Sequence, residues 1–141
     1  MATFSLEIIT QEKLLLKEEV ESLYVTTADG DITILPHHVP YVSILKPAEI
    51  IITRNGVEEP IACTGGILEV TPNKVVVLAD TAVRSEEIDE AETLKAKEGA
   101  EKLMAEKLEE RENAEAEAAL EKALLHLRIL KKRKHHTSIH S

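Results

Sequence analysis

Histidines, a single cysteine and a glycine pair are the residues of this chain whose types and spacing invite a chemical reading. His37 and His38 are adjacent, so their side chains diverge, and no carboxylate or Cys stands at ligand spacing on a regular element. The spacing therefore supports a structural role without metal. His135, His136 and His140 crowd the end of the chain and read as a solvated terminus. Cys63 is the single cysteine among 141 residues, which excludes an intramolecular disulfide framework and a Cys-rich zinc site. It stands in strand-like sequence without a nearby cationic activator and reads as a buried structural thiol. Gly65-Gly66 is followed by strand-like rather than helix-like sequence, so it is not a phosphate loop. It marks a bulge or a close approach between strands. Hydroxyls are scattered, and no Ser-His-Asp order stands out. With no acid-base or nucleophile constellation, the chain reads as noncatalytic and without cofactor.

The elements that carry these residues change character near Arg84-Ser85. All five prolines precede that point, and Gly99 is the only Gly or Pro after it. Before it lie short apolar segments separated by turn residues. Phe4 to Ile9 alternates, with Phe4, Leu6 and Ile8 on one side. Val20 to Thr27 is rich in β-branched residues and is turned by Ala28-Asp29-Gly30-Asp31. Ile32 to Leu35 and Val42 to Leu45 are bounded by Pro36, Pro40 and Pro47. Ile50 to Arg54 and Val57 to Ala62 flank Asn55-Gly56, a strong signal for a type I′ hairpin. Ile67 to Thr71 and Lys74 to Ala79 flank Pro72-Asn73. Seven or eight strands at this spacing predict an antiparallel β-sandwich over residues 1–85.

Residues 86–134 predict helix, rich in Ala, Glu, Lys and Leu. Ser85 is the expected N-cap, with Glu86, Glu87 and Asp89 at the positive end of the helix dipole. One apolar stripe runs through Ile88, Ala91, Leu94 or Lys95, Leu103, Met104 and Leu108. A second runs through Leu120, Ala123 or Leu124, Leu127, and Leu130 or Ile129. The polar stretch Glu109 to Asn113 separates them, so a break near Asn113 predicts an antiparallel helical hairpin, with one long helix as the competing state. Small alanines bury little area, so at about 25 cal/mol per Å² the pairing should be weak and rearrangeable. Residues 135–141 read as a flexible tail. The fold class is thus α+β in two parts, a β-sandwich followed by a helical hairpin.

Net charge is -9, which argues against nucleic acid as a partner. Aromatics are only 2%, too few for base-stacking platforms. No apolar run approaches the roughly 18–20 residues of a membrane span, so no direct membrane insertion is expected. The N-terminal residues lack the pattern of a secretory signal. Charge is polarised: residues 86–117 carry 5 basic and 13 acidic side chains, whereas 118–141 carry 6 and 1. Arg128, Lys131, Lys132, Arg133 and Lys134 therefore offer a docking patch for an acidic protein surface.

Three blocks carry a resemblance. The first is Gly30-Asp31-Ile32-Thr33-Ile34-Leu35-Pro36-His37-His38-Val39-Pro40, continuing into Ser43-Ile44-Leu45-Lys46-Pro47. The second joins Gly65-Gly66-Ile67-Leu68-Glu69-Val70 to Val75-Val76-Val77-Leu78-Ala79-Asp80-Thr81-Ala82. The third is Ile88-Asp89-Glu90-Ala91. Over nearly its whole length the chain resembles the epsilon subunit of the F-type ATP synthase. The resemblance implies a noncatalytic rotor subunit of a proton-translocating complex. The sandwich would bind the gamma subunit and rest on the c-ring, with Asp31 and His38 at the ring-facing positions. The helices would fold back or extend along gamma, reaching the catalytic beta and alpha subunits and braking ATP hydrolysis through the basic patch.

Some family members bind ATP on the folded helices. The corresponding positions here are Ile88, Asp89, Glu92, Lys122 and His126. Glu92 stands where such members have Arg, reversing a charge meant to face phosphate, and neither Lys122 nor His126 offers the bidentate fork of arginine. No ATP binding at physiological affinity is expected. The resemblance and the missing transit peptide imply a peripheral position on the cytoplasmic face of a bacterial cell membrane. The competing reading is a stand-alone β-sandwich interaction module with a coiled-coil tail.

Overall fold

A computed structural model describes the backbone of residues 2–105 and 110–140, and the side-chain surroundings of 2–105 and 114–133. The chain divides into two units, residues 1–84 and 85–141. The first holds ten strands: β1 (Phe4–Ile9), β2 (Leu14–Val20), β3 (Ser22–Thr27), β4 (Gly30–Ile34), β5 (Tyr41–Leu45), β6 (Ala48–Arg54), β7 (Val57–Cys63), β8 (Gly66–Val70), β9 (Lys74–Ala79) and β10 (Ala82–Arg84). They run in the order β10-β7-β6-β3-β5-β8-β9-β1-β2, with β4 on β3. The path folds into a sandwich at its thinnest link, because β3 and β5 share only the pair Thr27 and Leu45. All neighbours are antiparallel except β1 and β9, which run parallel.

Ten strands exceed the seven or eight expected. β2 is hidden in the sequence because Leu14-Leu15-Leu16 followed by Lys17-Glu18-Glu19 does not alternate. The segment from Val20 to Thr27 is two strands, parted at Glu21. There the Glu21 amide donates to the Thr53 carbonyl at 2.8 Å, and its carboxylate accepts from the Gly56 amide at 3.2 Å. The Asn55-Gly56 turn follows the prediction, with φ of 50° and 75°, the two left-handed residues of a type I′ hairpin. Pro60 sits in β7 at a point β10 does not reach, since β10 pairs only with Ile61 to Cys63; proline is tolerated where no ladder donor is required.

The core lies between the layers. Leu23, Val25, Ile34, Ile50, Ile52 and Ile61 face Leu6, Ile8, Leu16, Leu68, Val75 and Val77 in one buried cluster. Each such side chain contributes about 1.5–3 kcal/mol by leaving water. The ends of the strand path are tied by charge. Arg54 on β6 pairs with Glu18 on β2 and with Glu59 on β7 at 2.6 Å, while Arg84 on β10 reaches Glu18 at 3.6 Å and Glu59 at 3.4 Å. The network draws β2, at one end of the path, onto β6, β7 and β10, at the other.

The glycine pair works by close approach. A Cβ on Gly66 would lie 2.1 Å from the Leu78 carbonyl oxygen, and its φ is 147°. Both facts demand glycine. Cys63 beside it is buried, with its thiol pushed up by burial.

In the second unit a 3-10 turn (Ser85–Glu87) leads into α1 (Glu90–Ala105), and α2 (Glu110–His140) follows. Three expectations are corrected. The N-cap is Asp89 rather than Ser85: its carboxylate accepts from the Glu92 amide at 3.0 Å. Asn113 lies inside α2 rather than at a break; Leu108 lies outside the described residues. The inward stripe of α1 is Thr93, Lys97, Ala100 and Met104, whereas Leu94 and Leu103 are exposed. Thr93 is accommodated because its hydroxyl donates to the Asp89 carbonyl at 2.7 Å. On α2, Ala116, Ala123, Ile129 and Leu130 are buried. Arg133, near the end of α2, donates to the Ser85 carbonyl just before α1, so the helices run antiparallel.

Gly66→Ala is expected to destabilise the sandwich by about 2–4 kcal/mol in urea unfolding. Gly99→Ala, at an open helical position, should instead stabilise α1 by about 0.5–1 kcal/mol. Equal responses would contradict the close-approach account.

Candidate functional site

Strand register on the β5-β8-β9-β1-β2 layer produces two adjacent rows with opposite fates. Ser43, Leu68, Val77, Ile8 and Leu16 stand opposite one another across the five strands, and all face the core. The neighbouring row is Ile44, Ile67, Leu78, Ile9 and Leu14. Alternation turns it outward: Ile44 is 65% exposed, Ile67 46%, Leu78 44% and Leu14 52%, with Ile9 half-buried. A register shift between Ile8 and Ile9, at Leu15, lets Leu16 point in and Leu14 point out, as a β-bulge does. Val42, one step along, is also exposed. An aligned apolar row of this length on an outer face is the mark of an interaction surface.

Sequence reasoning did not single out this row. The signal was present in Val42, Ile44, Ile67 and Leu78, which stand at the non-core parity of their strands. It becomes a surface only once the strand order is known.

Asp31 stands at the start of β4, after the turn made by Ala28-Asp29. Thr27 builds that turn, its hydroxyl donating to the Gly30 carbonyl at 2.8 Å and accepting from the Asp29 amide at 3.1 Å. Asp31 is exposed and accepts a hydrogen bond from the Tyr24 hydroxyl at 2.5 Å, one strand away. That bond, then one from Thr26, holds its carboxyl below the usual carboxylate range, and the same contact pushes the Tyr24 phenol up. Lys46 adds a favourable charge. Asp31 is therefore a fixed, ionised acceptor.

His38 lies past the other end of β4, so roughly 10 Å of strand separates the two residues. Its loop is a type II turn: the His38 amide donates to the Leu35 carbonyl at 3.2 Å, Pro36 holds the second place, and His37 takes φ of 67° in the third. Glycine usually fills that place, and a residue with a Cβ there costs about 1 kcal/mol. The His38 ring meets Tyr41 edge-on at 6.5 Å and its Nδ1 lies 2.8 Å from the Val39 carbonyl. Leu35 and Val39 expose their side chains on either side. The corner is preorganised by proline and by these contacts, which lowers the ordering entropy lost on docking.

On α2, Arg128, Lys131 and Lys132 are exposed, while Arg133 is half-buried against Ser85. The side chain of Lys134 lies outside the described residues, as do those of His135, His136 and His140. Of the positions compared with the ATP-binding members, Ile88 is buried, Asp89 caps α1, and Glu92 and Lys122 are exposed. His126 is buried, and burial, then the Lys122 ammonium, lowers its basicity. Among the described residues no helix is long and apolar enough to cross a membrane, which does not bear on β-barrels.

Fold and surface together define a two-part chain: a sandwich with an exposed apolar row on one outer face, followed by an antiparallel helical pair. The family described as "ATP synthase, Delta/Epsilon chain, beta-sandwich domain" matches residues 3–85. An ATP synthase epsilon chain of Herpetosiphon aurantiacus is 41% identical over 129 residues, covering 92% of this chain and 95% of the relative. One from Dehalococcoides mccartyi is 39% identical over 140 residues, covering 99% and 100%. Among solved structures, a chain of the Euglena gracilis mitochondrial ATP synthase (OSCP/F1/c-ring) superposes with a TM-score of 0.71 at 27% identity, covering 86% of this chain and 77% of that one. A chain from the Tetrahymena thermophila mitochondrial ATP synthase central stalk and c-ring shares the fold, with a TM-score of 0.57 at 12% identity. The chain belongs to the ATP synthase epsilon chain family.

Tyr24→Phe removes the hydroxyl that holds Asp31. The Asp31 carboxyl is then expected to titrate at higher pH, nearer an ordinary aspartate, when followed by carboxyl-carbon NMR. An unmoved titration would show that Tyr24 does not set it.

Proposed function

We propose that this chain is a noncatalytic central-stalk subunit of a proton-translocating F-type ATP synthase, coupling the catalytic head to the c-ring and restraining ATP hydrolysis through its C-terminal helices. The observation that carries the reading is the outward row Ile44, Ile67, Leu78, Ile9 and Leu14. A row of this kind on a stable sandwich fits a permanent partner rather than a small ligand, and the gamma subunit is the partner that family membership suggests. The polar corner at Asp31 and His38 suits a different neighbour, the polar loops of the c-ring, to which Asp31 offers an ionised acceptor. The position is then peripheral, on the cytoplasmic face of a bacterial cell membrane.

The helical unit suits a restraint that can be released. Its inward residues on α1 are small or polar except Met104, so α1 brings little apolar area to the pairing. Opening it would release Arg133 from the Ser85 carbonyl and add it to the basic cluster of Arg128, Lys131, Lys132 and Lys134 offered to an acidic surface on the catalytic beta and alpha subunits. Such docking is screened by salt.

Reconstitution with gamma and the catalytic head tests both halves. Ile67→Glu should weaken gamma binding at least about tenfold while the sandwich stays folded, because position 67 already meets water. Truncation after Ser85 should keep gamma binding and raise ATP hydrolysis. Full binding by Ile67→Glu would contradict the docking face, and hydrolysis unchanged by truncation would contradict the brake.

A further inference from the structure

We propose that His126 makes the closed helical pair sensitive to pH, so that mild acidification loosens α2 from its packed position. The inference goes beyond the docking reading and stands on the helical unit alone.

His126 lies on the buried face of α2, one turn from Ala123 on one side and from Ile129 and Leu130 on the other. It is only 8% exposed. Its Nε2 finds no hydrogen-bond partner among the described residues. A neutral imidazole tolerates this site, since one ring nitrogen can remain an unprotonated acceptor. An imidazolium cannot, because both nitrogens must then donate. Charging His126 in place would bury an unpaired cation.

The surrounding charges do not relieve this. On its own helix, Lys122 is one turn earlier and repels a second positive charge; Arg133, farther along, donates to Ser85. On α1, the inward stripe Thr93, Lys97, Ala100 and Met104 contains one ionisable side chain, again a cation, and Lys97 lies 3.9 Å from Glu101. At the start of the unit, Asp89 is occupied in capping α1. Glu86 and Glu87 lie in the 3-10 turn and Glu90 opens α1. The charge that acts on His126 is the Lys122 ammonium, and no carboxylate among the described residues offsets it.

The direction follows by linkage. In the open helices His126 takes its ordinary value of 6.5, and in the closed pair it lies lower. The open form therefore binds more protons between those values. Closure is fully favoured above pH 6.5 and is lost as pH falls below it, until the lower value is passed. The closed-to-open ratio falls by at most about tenfold per pH unit.

The experiment uses the full chain. Spin labels on Glu98→Cys and Glu121→Cys, in a Cys63→Ala background, report the separation of α1 and α2, and His126 is titrated by NMR in the unlabelled protein. Between about pH 7.5 and about pH 5.5, the open population should rise several-fold and His126 should titrate below 6.5. The His126→Gln variant should show no such rise. A separation that is constant with pH, or that changes equally in His126→Gln, would overturn the proposal. Should His126→Gln be open at every pH, the native titration decides: a value at or above 6.5, as an acidic neighbour would produce, also overturns it.

Discussion

Strand register is the constraint on which the rest of this molecule depends. Across β5, β8, β9, β1 and β2, two apolar rows lie one residue apart, one turned to the core and the other to water. A slip of one residue would exchange them. The inner row would meet solvent, and the outer row, with bulkier Ile44 in place of Ser43, would have to fill the core. Register is held by local devices. The Asn55-Gly56 and Pro72-Asn73 turns fix the hairpins, the bulge at Leu15 resets the last strand, and Gly66 admits the Leu78 backbone where no Cβ fits. The charged network of Glu18, Arg54, Glu59 and Arg84 then ties β2 to β6, β7 and β10.

The two units answer different physical demands. The sandwich is held by a continuous core of Leu, Ile and Val, and its loops are fixed by hydrogen bonds such as those of Thr27 and Thr71. A scaffold of this kind can present a surface without deforming. The helical pair mixes alanine, threonine, a half-buried lysine and a buried histidine with Leu125, Ile129 and Leu130 on its buried faces. Polar and titratable groups are interspersed among its apolar contacts, so charge and salt bear on its closure. A stiff sandwich and a helical pair with polar groups at its interface suit the coupling and restraint proposed above.

Much of this was legible in the sequence. The switch near Arg84-Ser85, both hairpin turns and most strand positions follow from local chemistry that acts over a few residues, whereas the contact that demands Gly66, at the start of β8, comes from Leu78 on β9. β2 was not legible, because its Leu14-Leu15-Leu16 run spans a bulge and breaks the period of two. The helix start was misplaced because Ser85 and Asp89 are both good caps, and only the backbone decides between them. The α1 stripe was misread because apolar Leu94 and Leu103 face out while Thr93 and Lys97 face in; that choice follows from contact with α2. The outward row could not be read at all without the strand order. Asp31 and His38 were named through resemblance, yet the bond from Tyr24 that fixes Asp31 emerges only when β3 and β4 are paired.

The central claim is that the outer row, not the core row beneath it, meets the partner. Methyl NMR of the full chain, labelled at Ile and Leu and titrated with gamma, tests it most directly. The account predicts large shifts at Ile9, Ile44, Ile67 and Leu78, with the inward methyls of Ile8, Ile52 and Leu68 little changed. Tight binding that left the four outer methyls unmoved would contradict it.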